Sequence, residues 1–416
     1  MSQASERVGA DVDAVPGGLM LSTVRPERFK AAWKPSPVAL GSFNVIIGRN
    51  GSGKSTLLEC LQWLDTAIRR DTREASERYR GVTDLVNFRS RPRDNYQYFE
   101  LSLVWRPDDY SDLELESAEY VLRIEDHDGA AVVGAERLKA KRPGARPGRI
   151  VETLDDGSRS IAALDSETSN IRVRDPDRLA LARLSDTRLG DELSDAITDF
   201  WERAVFLRLS PNRLTEPSTG TRRSWEPILD EEGARLASLL FEFTEDELQS
   251  LADDIQDILP GIRGVRRERQ GVGREARVDY KLLEQMPYVG RNGSKNVPVP
   301  AWMLSEGTRR ITAILALLRR TPTPSILCIE EVENGLDPWS VRRVLARLQD
   351  AAQLGTQVII TTHSPWLLND VPMEDIHIVR RVGGDTEYKR FTEDPDVLSF
   401  HQDIPAGTRY ANIEGY

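Results

Sequence analysis

The densest chemistry in this 416-residue chain lies between Gly48 and Thr56. Gly48-Arg49-Asn50-Gly51-Ser52-Gly53-Lys54-Ser55 fits G-x-x-x-x-G-K-[ST], a loop that wraps phosphate. Gly48, Gly51 and Gly53 permit backbone angles that turn successive N–H groups inward around an anion. Asn50, Ser52 and Thr56 belong to the same cradle. Lys54 adds a mobile positive charge for β- and γ-phosphates. The Ser55 hydroxyl is a small, hard ligand for Mg²⁺. Far downstream, Glu330 and Glu331 end an apolar run. Paired carboxylates there suit two jobs. Glu330 would hold Mg²⁺, directly or through water, and Glu331 would orient and deprotonate an attacking water. His363 follows another apolar run and is placed to reach a γ-phosphate. Leu304-Ser305-Glu306-Gly307 precedes a helical pattern, and Ser305 and Gly307 there make a second anion site. Taken alone, that turn is only a helix N-cap. One nucleotide cannot use two outward-facing loops of one chain, so a second copy would supply the second.

Regular elements must hold these groups. Phe43 to Ile47 is apolar and bounded by Gly, which predicts a buried strand entering the loop. Leu57, Leu58, Leu61, Leu64 and Ile68 predict an amphipathic helix leaving it, whose N-terminal dipole points at the same anion. Ser325 to Glu331 and Val358 to Thr361 predict two further strands. Between them, Asn334-Gly335-Leu336-Asp337-Pro338 makes a turn, and Pro338 opens a helix with Val341, Leu345, Leu348 and Ala352 on one face and Gly355 as its stop. Ile311, Ile314, Leu315 and Leu318 mark the helix after Ser305.

The remainder reads more coarsely. Residues 1–18 are polar and lack the basic start and apolar stretch of a signal peptide, which predicts a flexible leader. Pro26, Pro35 and Pro37 interrupt antiparallel strands between Leu19 and Ile47. Arg69 to Arg93 predicts a solvated helix end and loop. Tyr96 to Trp105 and Tyr120 to Ile124 alternate as strands, and Asp126-His127-Asp128-Gly129 makes a turn before Ala130 to Val133. Helical patterning covers Asp175 to Arg203, and Ala204 to Leu209 is a strand. Leu236 to Phe241 and Glu247 to Leu259 are helices, with Asp246 in the first turn of the second and Pro260 as its stop. Lys139–Arg149 and Arg263–Arg277 are basic and Gly-containing. They read as loops, either solvated or lining a groove for DNA phosphates.

Lys and Arg total 56 against 67 Asp and Glu, a net charge of -11. That argues against a surface that coats nucleic acid as a whole, though not against a local basic groove. The two cysteines, Cys60 and Cys328, lie in apolar runs and exclude a disulfide framework, so a reducing cytoplasm is the expected home. No apolar run reaches membrane-spanning length, and no membrane partner is expected.

With these residues set out, GRNGSGKST, LSEGTRR, ILCIEEVENGLDP and ITTHSP resemble, in order, the Walker A, signature, Walker B with D-loop, and switch-histidine motifs of the ABC-type ATPase superfamily. The resemblance covers roughly residues 18–70 and 300–380. It implies an α/β ATPase head: a RecA-like, mostly parallel sheet flanked by helices, an antiparallel β subdomain and a largely helical inserted lobe. Expected boundaries are a leader at 1–18, a discontinuous core at 19–70 and 300–395, an inserted lobe at 71–299 and a tail at 396–416. It implies ATP and Mg²⁺ as ligands and a head-to-tail homodimer or higher homo-oligomer. Walker A of one chain would then face Ser305 and Gly307 of the other, with Glu331 and His363 acting in cis and Asp337 in the D-loop. The wide spacing between phosphate loop and signature, and LSEGT in place of a transporter's LSGGQ, are most similar to the OLD/AAA15/AAA21-like soluble branch. The ATPase subunits of anti-phage systems such as Septu and PARIS belong there, and RecF-like repair ATPases are near neighbours. Residues 364–416 carry no acidic cluster like that of a Toprim nuclease. The resemblance therefore implies a separate effector protein, a nuclease among the candidates, with a DNA-binding repair ATPase and a transporter energiser as competing readings. GLDP stands where GLHP is common in that branch. Gln97 sits on a plausible strand as a Q-loop candidate.

Overall fold

The computed structural model describes residues 18–413 except 91–96, 163, 165–170, 185–191, 220–225, 272–275, 290–292 and 294. Of the expected leader, only Gly18 lies within the described residues.

A six-stranded sheet runs through the middle of the fold. Its order is Val205–Leu207, Ile326–Ile329, Gln357–Thr362, Phe43–Gly48, Ile376–Val382 and Asp385–Arg390. The first five strands are parallel and the last is antiparallel to its neighbour. Successive side chains on a strand point to opposite faces. Ile46 accordingly joins one core, while Val45 and Ile47 join the other. All three have no solvent exposure, and burying each stabilises the fold by roughly 1.5–3 kcal/mol.

The first core lies between this sheet and an eight-stranded antiparallel sheet. The Lys54–Arg69 helix fills the space. The eight strands run in the order Val38–Ala39, Leu19–Glu27, Tyr98–Pro107, Ser117–His127, Ala130–Lys141, Gly148–Thr153, Arg159–Ile161, Ile171–Val173. Trp63 of the helix meets Phe99 edge-on at 5.0 Å, and Phe99 meets Phe29 at 5.1 Å. The second core covers the other face. There the helices Leu236–Glu242, Glu245–Ile258, Glu306–Arg319 and Pro338–Gln353 pack together. Thr244 and Glu247 form a reciprocal capping box at the start of the second of these.

Three expectations are corrected. Lys139–Arg149 is loop only at 142–147: Lys139–Lys141 end one strand of the large sheet and Gly148–Arg149 begin the next. Within Arg263–Arg277, residues 263–270 are strand rather than loop, because Ile262–Gln270 pairs antiparallel with Arg277–Gln285. Arginines hide this pattern, since one face of the ladder is solvated while Ile262, Val278, Tyr280 and Leu282 are buried on the other. Within residues 69–93, those described, 69–90, are not simply solvated. Thr72–Glu77 and Val82–Leu85 are short helices that bury Ala75, Val82 and Leu85, and Ser76 accepts the Trp63 indole N–H at 3.2 Å.

His377 in the Ile376–Val382 strand is buried, opposite Arg390. Burial, with Arg390 adding, pushes its imidazole down to about 4. An unfolded histidine titrates near ~6.5. Between these values the unfolded chain holds more protons, so the neutral-histidine contribution is complete above ~6.5 and is lost as pH falls toward 4. From pH 7 to 5 the loss is roughly 2 kcal/mol. Denaturant unfolding of wild type and His377→Gln should show their stability difference shifting by that amount against the wild type. A difference that does not change with pH would contradict this account.

Candidate nucleotide site

The phosphate loop emerges from the Phe43–Gly48 strand in the interior of the parallel sheet. Gly51 and Gly53 have φ of 74° and 107°, where a side chain is strained. Gly48 is required by space instead. A Cβ there would lie 2.4 Å from the Val379 carbonyl oxygen, and one at Gly53 would lie 2.5 Å from the Thr386 hydroxyl. The antiparallel strand Asp385–Arg390 therefore braces the loop, and the Tyr388 hydroxyl also donates to the Gly53 carbonyl at 2.9 Å. Lys54 is buried. Its ammonium donates to the carbonyls of Gly48 at 2.6 Å and Arg49 at 3.0 Å, and lies 3.4 Å from His363 Nδ1. Burial pushes this ammonium below its usual range, against the pull of Glu331, Glu333 and Glu330. Arg49, Asn50, Gly51 and Ser55 are exposed at the rim, while Ser52 and Thr56 are buried.

The next two parallel strands bring the acids and the histidine alongside. Glu330 and Glu331 follow Ile326–Ile329, and His363 follows Gln357–Thr362. His363 Nε2 lies 3.4 Å from Glu331 Oε1, and the Asn334 amide donates to Glu331 Oε2. The result is a continuous polar line: Lys54, His363, Glu331, Asn334. Glu333 Oε1 accepts the His363 backbone N–H at 2.7 Å. Glu331 has φ 50°, a left-handed conformation that costs a non-glycine residue of order 1 kcal/mol. The Thr361 hydroxyl secures it by accepting the Glu331 N–H at 2.9 Å. Glu330 is half-buried and its carboxylate lies 3.7 Å from Arg208 Nε. Desolvation raises its carboxyl above the usual range, with Arg208 opposing.

The turn expected to make a second anion site starts a different helix. Ser305 caps the Glu306–Arg319 helix, its Oγ accepting the Thr308 N–H at 3.1 Å. Among the described residues no hydrogen bond links Ser305 to residues 48–56. The turn is instead tied to the D-loop of its own chain. A Cβ on Gly307 would lie 2.6 Å from the Gly335 carbonyl oxygen, and one on Gly335 would meet Glu306. Asp337 caps the next helix, accepting from Trp339 N at 3.0 Å and Ser340 N at 3.1 Å. The Ser340 hydroxyl, with those amides, holds the Asp337 carboxyl below its ordinary range. Beyond His363, the residues 365–370 are clamped by the Ala406–Ala411 helix. Gly407 donates to Asn369 Oδ1 at 2.8 Å, and a Cβ on it would lie 2.0 Å from the Pro365 carbonyl oxygen.

Sequence reasoning brought Lys54, Glu331 and His363 to one place. It missed Asn334, Glu333, Thr361 and Arg208. The first three stood inside motifs already quoted, but spacing does not reveal which side chain turns toward Glu331. Gln97 precedes the Tyr98–Pro107 strand, and its carbonyl accepts the Asp126 N–H at 2.8 Å.

A family model described as "AAA domain, putative AbiEii toxin, Type IV TA system" (AAA_21) matches residues 43–369, from the strand before the phosphate loop to just beyond the histidine. The chain belongs to the AAA_21 family. No curated protein matches the sequence. Among solved structures, an Smc head bound to the C-terminal winged-helix domain of ScpA is similar with a TM-score of 0.55. It is 13% identical, over 89% of this chain and 96% of that one. An Smc head with an extended coiled coil, bound to the C-terminal domain of ScpA from Pyrococcus furiosus, gives 0.53 at 12% identity, with 89% and 96% covered. At such identities the likeness concerns the fold, and the AAA_21 chain has the α/β architecture of an ABC-type ATPase head. Family and fold together place it among the nucleotide-binding ATPases.

The AAA_21 site suits a nucleotide on its own geometry. Gly48 and Gly53 leave space that a Cβ would fill. Ser52 Oγ is buried with no hydrogen-bond partner among the described residues. Lys54 spends its donors on two loop carbonyls. Ser55 and Glu330 offer oxygen donors of the kind Mg²⁺ takes. No described helix is long and apolar enough to cross a membrane.

Proposed function

We propose that this protein binds and hydrolyses ATP between two copies of itself, arranged head to tail, and uses that cycle as a switch for a separate effector protein. The observation that carries the reading is the line Lys54–His363–Glu331–Asn334 at the carboxyl ends of three adjacent parallel strands, while among the described residues no hydrogen bond ties Ser305 to residues 48–56. In this reading residues 48–56 hold the phosphates, and Lys54 shifts from loop carbonyls to phosphate oxygens. Ser55 and Glu330 hold Mg²⁺, which would neutralise charge on the phosphates. Glu331 accepts a proton from the attacking water. His363 orients Glu331 and contacts the γ-phosphate, and Asn334 fixes the carboxylate from the other side. Ser305 and Gly307 of the second copy close over the triphosphate, and Asp337 keeps the D-loop in register.

A partner chain is proposed because the similar Smc heads are bound to a domain of another protein, ScpA. Anti-phage defence is the proposed setting, resting on the motif resemblance, with a nuclease as the proposed effector class and the cytoplasm as the proposed compartment. A second reading, a DNA-binding repair ATPase, draws on Arg263, Arg266 and Arg269, exposed along one strand. On the same sheet Arg267 and Lys281 are already paired with Glu245 and Glu268. DNA affinity that falls steeply with salt is the result that would favour it.

The shared site is tested by mixing two inactive chains. Lys54→Ala spoils one half-site and Ser305→Arg the other. A mixed dimer holds one intact composite site, so ATPase activity should reappear on mixing, at up to about half of the wild-type rate per active dimer. A Ser305→Arg chain that hydrolyses ATP by itself at the wild-type rate, or activity that never returns although mixed dimers form, would contradict the shared site.

A further inference from the structure

Among the described tryptophans, Trp63, Trp105 and Trp201 are buried, while Trp302, Trp339 and Trp366 are 67%, 76% and 78% exposed. Each exposed indole lies within three residues of a motif residue: Trp302 before Ser305, Trp339 after Asp337, Trp366 after His363. Trp339 and Trp366 form two walls of a groove of about 660 Å³, floored by Leu336, Pro338, Leu345 and Leu367. Arg342 and Asp370, paired at 3.0 Å, form a polar rim. Nothing in the ATP chemistry proposed above uses these indoles.

We propose that this groove receives Trp302 and Met303 of a second copy of the chain. The inference rests on the head-to-tail reading and adds an apolar anchor to it. In that reading His363 of one copy and Ser305 of the other approach the same γ-phosphate. Trp366 and Trp302 are each three residues away, a reach of about 10 Å of chain. The two sides of the contact are thus brought together by the site itself. Met303 is 60% exposed beside Trp302. The exposed parts of three indoles and Met303 amount to on the order of 500 Å² per copy, or about 1,000 Å² for a symmetric pair. That matches the lower bound of a specific interface, about 1,000 Å². The groove flanks the D-loop and the switch histidine, so closing it couples assembly to the position of both.

The test measures dimer dissociation constants by analytical ultracentrifugation with ATP, in a Glu331→Gln background. Trp302→Ala and Trp366→Ala should each weaken the dimer roughly 10- to 100-fold, as expected for central aromatic anchors. The double variant should lose less than the product of the two, because the residues share one contact. Circular dichroism and cooperative unfolding control for folding, and Trp366→Leu replaces the alanine variant if that one misfolds. Dimerisation unaffected by both substitutions overturns the groove contact, assigns the groove to some other protein, and leaves the shared ATP site standing. A Glu331→Gln protein that remains monomeric with ATP overturns both.

Discussion

Glu331→Gln should bind ATP and remain dimeric, yet hydrolyse ATP roughly 100- to 10,000-fold more slowly than the wild type, the usual contribution of a positioned general base. The substitution keeps the shape of the side chain. A glutamine oxygen can still accept from Asn334, and the backbone at φ 50° remains secured by Thr361. What disappears is the negative charge that takes a proton and faces His363 at 3.4 Å. In the proposed site, binding rests on Lys54 and the loop amides, which the change does not touch. Phosphate release and sedimentation, measured on the same preparation, check the two halves of the claim. Turnover at the wild-type rate would move the base to another residue, with Glu333 next in line because it already holds the His363 backbone.

Lys54→Ala should lose about 100- to 10,000-fold in ATP affinity. Two charge-assisted hydrogen bonds to phosphate, each worth roughly 1.5–3 kcal/mol, set that scale. The amine is already desolvated and held against the Gly48 and Arg49 carbonyls, so little ordering remains to be done when phosphate arrives. Thermal unfolding with and without ATP reads the effect. At about 100 times the dissociation constant a bound ligand stabilises the folded state by roughly 2.7 kcal/mol, so the wild-type melting temperature rises. The variant's should not move at the same ATP concentration. An equal rise in both would remove Lys54 from the phosphate contacts.

The sequence by itself was enough for elements whose signal is local. The run Phe43–Ile47, the three glycines with Lys54, and the leucine spacing after Thr56 specify strand, loop and helix through short-range sterics, and the fold contains all three. The same holds for the Asp337–Pro338 helix start and for Ser305 as a cap. Where the chemistry depends on partners distant in the chain, spacing was silent. Thr361 and Arg208 acquire their roles only because parallel pairing sets Ile329 beside both Leu207 and Ile360, which no local pattern encodes. The arginine-rich strand at 263–270 looked like loop because its buried residues alternate with charges that only a folded second core can shelter. The left-handed Glu331 is the plainest case. Its local preference runs against the conformation it adopts, and a hydrogen bond from a strand thirty residues away decides the matter.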